Sequence, residues 1–165
     1  MNWNLANLAK RYLVADTPAL HIRERVKSAL GAALGVLVVF LTTYLLVSHE
    51  YVMLAAVGAT AIILFSMPHS PMAQPWSVMG GYTLALLVAW SVLHLELNPI
   101  AGTALAIALV VLLSMTFKCV HPPAGAVAIF VYSQGPYGLS GLFGIAPGIL
   151  MSALMVLFAA LALNN

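Results

Sequence analysis

The residues able to do chemistry gather in Lys118-Cys119-Val120-His121-Pro122-Pro123-Ala124-Gly125-Ala126, which sets a cation, an imidazole, two prolines and a glycine inside a very apolar chain. Consecutive prolines cannot lie within a regular helix, because each lacks an N–H and its ring clashes with the preceding turn. They suit the start of one, where those donors would have no helical partner. The spacing therefore predicts a short helix from Ala124 to Tyr132 that opens at Pro122 and Pro123. Inside a membrane, free N–H groups and the positive end of the dipole at such an opening would favour an anion or a polar group.

The other polar residues within apolar runs narrow the chemistry. Thr60, Ser66, Ser133 and Gln74 offer hydroxyl and amide groups, while all four acids, Asp16, Glu24, Glu50 and Glu96, fall in the N-terminal segment or at the ends of runs. A carboxylate at depth is costly and is kept for a role, so its absence argues against a cation pathway. Five scattered histidines have no carboxylate partner and no ligand spacing, which argues against a metal site or a catalytic acid–base pair. No cofactor and no enzymatic activity are expected, and the set suits a small anion. Each candidate also has a plainer reading. His121 either binds or gates a substrate, or only bonds a carbonyl at the helix break. Lys118 either draws in an anion or snorkels to the surface. Gly58 and Gly125 either expose backbone to substrate or only let helices cross closely.

Positioning falls to membrane helices. Of 165 residues 63% are apolar and 6% charged, against about 25% charged in a soluble domain, so the expected class is an all-α membrane protein. A net charge of +2 is too small to suggest nucleic acid. Residues 1–27 form a basic segment holding Lys10, Arg11, Arg23, Arg25 and Lys27, directly before the first apolar run; the positive-inside rule puts it in the cytoplasm. Within it Trp3 to Leu13 reads either as an interfacial helix or as a solvated tail, and Asp16-Thr17-Pro18 reads as a helix start. Residues 28–165 read as one transmembrane domain. Its apolar runs are Ser28–Val47, Tyr51–Ser66 (interrupted at Gly58-Ala59-Thr60), Val78–Leu97, Ile100–Phe117, the short helix to Tyr132, and Ile145–Leu163, entered through Pro147-Gly148. Ser48-His49-Glu50 and residues 133–138 read as turns. Pro68, Pro71 and Pro75 break the chain between the second and third runs, as Pro122 and Pro123 do later.

Residues 58–66, Gly-Ala-Thr-Ala-Ile-Ile-Leu-Phe-Ser, match residues 125–133, Gly-Ala-Val-Ala-Ile-Phe-Val-Tyr-Ser, at an offset of 67. Each copy sits in the middle segment of a three-segment half, 28–97 and 98–165. Four full spans plus two short or broken ones, arranged as inverted repeats, are therefore expected, with Glu50 and Glu96 on one side and Lys118 and the 67–77 loop on the cytoplasmic side. Paired short segments in matching places point to a transporter site at the midplane. An anion would sit between two facing helix N-termini, Gly58-Ala59-Thr60 and Ala124-Gly125-Ala126, oriented by His121 and Gln74 and drawn in by Lys118. A bundle this small, with Gly31, Ala32, Ala33 and Gly35 on its first span, is expected to form homo-oligomers in the lipid bilayer.

His121-Pro122-Pro123-Ala124-Gly125-Ala126 resembles the HPP family of integral membrane proteins. Gly58-Ala59-Thr60-Ala61, Ser70-Pro71-Met72-Ala73-Gln74-Pro75 and Gly80-Gly81 resemble that family's first-half pattern, in the expected order. The likeness covers roughly residues 25–163. It implies a multi-pass protein, usually described with four spans; the expected location is a cell inner membrane. Members in chloroplast envelopes and cyanobacteria are implicated in nitrite transport, so the resemblance implies a nitrite or similar small-anion transporter. The alternative is a structural or regulatory membrane subunit that transports nothing. Trp76 departs from the family pattern, in which a basic residue often follows Gln-Pro.

Overall fold

The computed structural model describes residues 21–46, 53–133 and 139–164. The expectations for Trp3–Leu13, Asp16-Thr17-Pro18, Ser48-His49-Glu50 and residues 134–138 lie outside them. Among the described residues six α-helices follow in order: α1 (Ile22–Leu46), α2 (Met53–Ser66), α3 (Pro75–Leu93), α4 (Pro99–Thr116), α5 (Ala124–Ser133) and α6 (Leu139–Leu163), with a 3₁₀ turn at Pro71–Ala73. Prolines open α3 and α4 at positions whose N–H would have no helical partner; Asn98 caps α4 by accepting the Ala101 N–H at 3.0 Å. Pro75–Leu93, Pro99–Thr116 and Gly141–Leu163 are long and apolar enough to cross a membrane. At 14 and 10 residues, α2 and α5 reach only about 21 and 15 Å at the α-helical rise.

Helix α1 begins at Ile22 rather than Ser28, α3 runs Pro75–Leu93 rather than Val78–Leu97, and two further readings differ. Helix α2 runs unbroken through Gly58-Ala59-Thr60, because a helix-weakening glycine is tolerated where lipid leaves the backbone no other partner. Helix α6 starts at Leu139 and carries Pro147 inside it, rather than being entered through Pro147-Gly148.

The internal repeat extends well beyond nine residues. Each main helix pairing has a counterpart when α1, α2 and α3 are exchanged for α4, α5 and α6: α1–α2 with α4–α5, α1–α6 with α4–α3, and α2–α6 with α5–α3, while α3–α6 and α2–α5 map onto themselves. The offset of 67 holds side chain by side chain. The Phe65 ring packs on Gly35, and Tyr132 packs on Gly102. Tyr82 and Ile149, Ala89 and Val156, Leu93 and Ala160 are buried at matching positions of α3 and α6.

Contacts fix the sense of each helix. The C-terminal end of α2 lies on the N-terminal half of α1 through Phe65, and that of α5 on the start of α4 through Tyr132. Asn164, just past α6, donates its Nδ2–H to Leu64 O near the end of α2 (2.9 Å). Tyr132 donates its hydroxyl to Leu97 O just past α3 (3.1 Å). Successive helices therefore alternate in direction and the halves are inverted. The 67–74 and 117–123 loops share the face where α1 begins. Helices α2, α3, α5 and α6 form the centre. Helix α1 buries a stripe of Gly31, Gly35 and Val39, and α4 one of Gly102, Ala106, Val110 and Ser114. Their other faces, with Leu34, Leu41, Ile100 and Leu112, are exposed as a lipid-facing surface requires. Gly31 and Gly35 are covered by this chain's own Phe65, which leaves Ala33 alone exposed among Gly31, Ala32, Ala33 and Gly35.

Candidate functional site

Three segments meet around His121. Helix α3 brings Gly80-Gly81-Tyr82 against the 119–124 stretch. A Cβ on Gly81 would lie 3.0 Å from His121 Cβ and 3.1 Å from Cys119 O, and one on Gly80 would lie 2.9 Å from Cys119 Cβ. These glycines thus let the loop lie on the helix, which buries His121 to 3% exposure. Helix α2 supplies Thr60, fully buried, and the 3₁₀ turn supplies the Met72 carbonyl.

The groups form a directed chain. His121 Nδ1 lies 2.8 Å from Met72 O; a carbonyl only accepts, so Nδ1 carries the proton. In the neutral ring Nε2 then accepts, and its partner is Thr60 Oγ1 at 2.9 Å. With its own hydrogen committed there, Thr60 Oγ1 accepts from the Tyr82 hydroxyl at 2.8 Å. The order is Tyr82 to Thr60 to His121 to Met72 O, which ties α2, α3 and both loops of one face together. Among the described residues no buried side-chain nitrogen or oxygen lacks a partner.

The residues singled out from sequence divide. His121 and Thr60 come together. Ala59 and Gly58 lie beside Thr60 in mid-helix, half-buried, so they are not a helix N-terminus. Ala124, Gly125 and Ala126 do open α5, but their N–H groups are engaged. They donate to His121 O, Pro122 O and Pro123 O at 2.9, 3.0 and 3.1 Å, because the prolines turn the chain so that its carbonyls reach back. Two facing helix ends with free donors are therefore absent. Gln74 is exposed, with its Nε2–H directed at Ser70 O (3.4 Å). Lys118 is exposed, in a left-handed conformation (φ 55°) just past α4, where a cation complements the helix dipole. Neither joins the His121 chain. Nor are Gly58 and Gly125 close-packing glycines: a Cβ on Gly58 meets nothing within 4 Å, and one on Gly125 makes ordinary contact with Ile107. Pro71 opens the 3₁₀ turn and Pro75 opens α3, while Pro68 lies in the turn before them. Trp76 donates its indole N–H to Phe117 O (3.1 Å), clamping the two loops.

Sequence reasoning missed Tyr82 and Gly81 as site residues. The available signal was a tyrosine next to a glycine pair, well inside an apolar run.

Tyr82 also lines a partly open cavity of about 10 Å³ between α2, α3, α5 and α6, with Val57, Ala126, Val127, Ile149 and Ser152. That is room for about one water. The counterparts of Thr60 and Tyr82 in the second half are Val127 and Ile149, so the matching seam there is apolar. Two wider grooves also correspond between the two halves. One, about 500 Å³, is bordered by Phe65, Ser66, Asn164, Lys27, Glu24 and His69. The other, about 520 Å³, is bordered by Tyr132, Ser133, Leu97 and Glu96. Among the described residues no three His, Cys, Asp or Glu side chains converge as a metal site would need.

Comparison with known proteins agrees with this architecture. The family described as HPP, transmembrane region, matches residues 17–165. A Dictyostelium discoideum protein described as a transmembrane protein is 33% identical over 143 residues, covering 82% of this chain and 50% of its own length. A second from the same organism, described in the same way, is 28% identical over 144 residues, covering 84% and 46%. The chain thus spans about half the length of these curated relatives. No solved structure matches.

Proposed function

The chain belongs to the HPP transmembrane family, and from that premise we propose that it is a membrane transporter or channel for a small inorganic anion, with nitrite the substrate to test first. The observation that carries this reading is a bundle of inverted repeats closed at its centre by one uncharged hydrogen-bonded chain. Inverted repeats with polar groups at their interface are a transporter architecture. Among the described residues the buried polar side chains include Thr60, Ser77, Ser114, His121, Ser152 and the hydroxyls of Tyr82 and Tyr132, and no carboxylate. Parting α2, α3, the 117–123 loop and the turn that carries Met72 would free the Tyr82 hydroxyl, the Thr60 hydroxyl and the His121 Nδ1–H together. Three neutral donors suit a small oxyanion, which accepts and does not donate. In this reading the face with the 67–74 loop is cytoplasmic, because the basic segment before α1 leads onto it, and the membrane is the cell inner membrane. Homo-oligomers would form through lipid-facing surfaces rather than through Gly31 and Gly35.

The complete pairing of the buried polar groups favours a second reading, in which the chain only staples a structural subunit. Protein in liposomes at neutral pH separates the two. Nitrite entry above protein-free vesicles, reduced at least tenfold in His121→Ala, supports transport. No protein-dependent entry under any gradient or voltage leaves the structural reading.

A further inference from the structure

We propose that Tyr82, Thr60 and His121 form a proton relay between the small cavity that Tyr82 lines and the 67–74 loop, which carries one proton in the same direction as each anion. The inference rests on the transport reading for what the proton accompanies. The relay itself rests on geometry.

Three hydrogen bonds of 2.8, 2.9 and 2.8 Å link Tyr82, Thr60, His121 and Met72 O in one line. Its inner member, Tyr82, lines the cavity with room for one water. Its outer end is the carbonyl of Met72, a residue exposed in the loop. The Tyr82–Thr60 and Thr60–His121 links join groups that both donate and accept, which is what proton hopping needs; the last ends on a carbonyl, which only holds the Nδ1 proton in place. A structural staple would need no such line. The equivalent positions of the other half hold Val127 and Ile149, both buried, so the repeat packs well with hydrocarbon at these places.

The step balances. A proton delivered to the Tyr82 oxygen is matched by transfer of the Tyr82 hydroxyl proton to Thr60 Oγ1, and of the Thr60 proton to His121 Nε2. The imidazolium then gives up its Nδ1 proton to water when the Met72 carbonyl moves away. One proton enters and one leaves. The neutral ring now holds its proton on Nε2 and the chain points the other way; hydroxyl rotation and a shift of that ring proton from Nε2 to Nδ1, made while the Met72 carbonyl is away, reset it with no proton gained or lost. The groups facing His121 are Tyr82 from α3, with ring centroids 5.7 Å apart, the non-ionising Thr60 from α2, and the Met72 carbonyl. Cys119 is buried on the same segment, and Lys118 is exposed. No Asp, Glu, Lys or Arg is buried among the described residues, so no other charge there sets the state of the ring.

The test uses the full chain in liposomes with a lumenal pH dye and a potassium–valinomycin voltage clamp, comparing wild type with Thr60→Val. That variant keeps the side-chain shape, copies the residue at 127, and is checked for folding by size exclusion. An inward proton gradient should speed wild-type nitrite entry and acidify the lumen in step, beyond protein-free vesicles, with voltage having little effect. Thr60→Val should lose the gradient-driven part at least tenfold. Nitrite entry that follows voltage and ignores the pH gradient, or that Thr60→Val leaves unchanged, overturns the relay while the transport reading stands. If no nitrite enters through the protein, the transport reading fails and voltage-driven proton conductance without substrate decides. Conductance lost in Thr60→Val supports the relay, and none in wild type overturns it.

Discussion

Gly81→Ala tests whether close approach of α3 places His121. The added Cβ would meet His121 Cβ at 3.0 Å and Cys119 O at 3.1 Å. Ordinary contact begins near 3.4 Å, so the loop must retreat by about 0.4 Å, and the backbone oxygen cannot swing aside as a flexible side chain would. The Thr60–His121 bond, now 2.9 Å, would stretch towards about 3.3 Å, the weak end of hydrogen bonding. Overpacking of this kind costs about 1–3 kcal/mol, and a weakened buried hydrogen bond adds about 1 kcal/mol. Against that, alanine gains about 1 kcal/mol over glycine in a helix interior, which leaves a net loss of about 1–3 kcal/mol. Gly58→Ala in α2 meets nothing within 4 Å and should keep the whole gain of about 1 kcal/mol. The same chemical change thus has opposite signs at two helical glycines. Thermal unfolding in detergent, read by size exclusion after heating, should rank Gly58→Ala above wild type and Gly81→Ala below it by several degrees. If the two variants melt together, or Gly81→Ala melts higher, the loop is not held by the glycine pair and the account of His121's placement fails.

Gly102→Ala should destabilise more than Gly81→Ala, by about 3 kcal/mol or more, because its Cβ would overlap the Tyr132 ring and hydroxyl and break the bond to Leu97 O; the same melting assay checks the order. The inverted topology predicts that cysteines at Ser70 and Lys118 react with a membrane-impermeant maleimide from one side and a cysteine at Glu96 from the other. Native Cys119 is 1% exposed and should give little background; labelling of all three from one side would refute the alternating arrangement.

Much of the fold was legible because apolar run length and proline position are strong signals in a membrane chain. The Pro122-Pro123 pair marks a helix start as expected, and Pro75, read only as a break in the chain, opens one too. The repeat was visible only at residues 58–66 and 125–133, where identity is high. Elsewhere it survives as matched burial and size, such as Phe65 with Tyr132 or Leu86 with Ala153, which letter-by-letter comparison cannot see. The site was read in part. His121 stood out by its surroundings, and Thr60 was noticed as a hydroxyl at depth. Gly58 misled, because its helix cost suggests a break and the bilayer removes the alternatives that would make one. The donors of Ala124, Gly125 and Ala126 misled too, since nothing in the letters shows that the carbonyls of residues 121–123 turn back to meet them. Tyr82 was passed over because an aromatic in an apolar run usually only fills space.

The two seams of the duplicated bundle differ in what it takes to pull them apart. In an apolar medium a hydrogen bond is worth about 4–6 kcal/mol, yet only about 1 kcal/mol once water can replace it. The seam at Thr60, Tyr82 and His121 holds three such bonds, so it can yield at a tolerable rate only if solvent follows the crack inward. The Val127–Ile149 side has no such debt and can slide open dry. Solutes that withdraw water should therefore slow one half of any rocking cycle and spare the other, which gives the near-symmetric bundle a preferred resting pose.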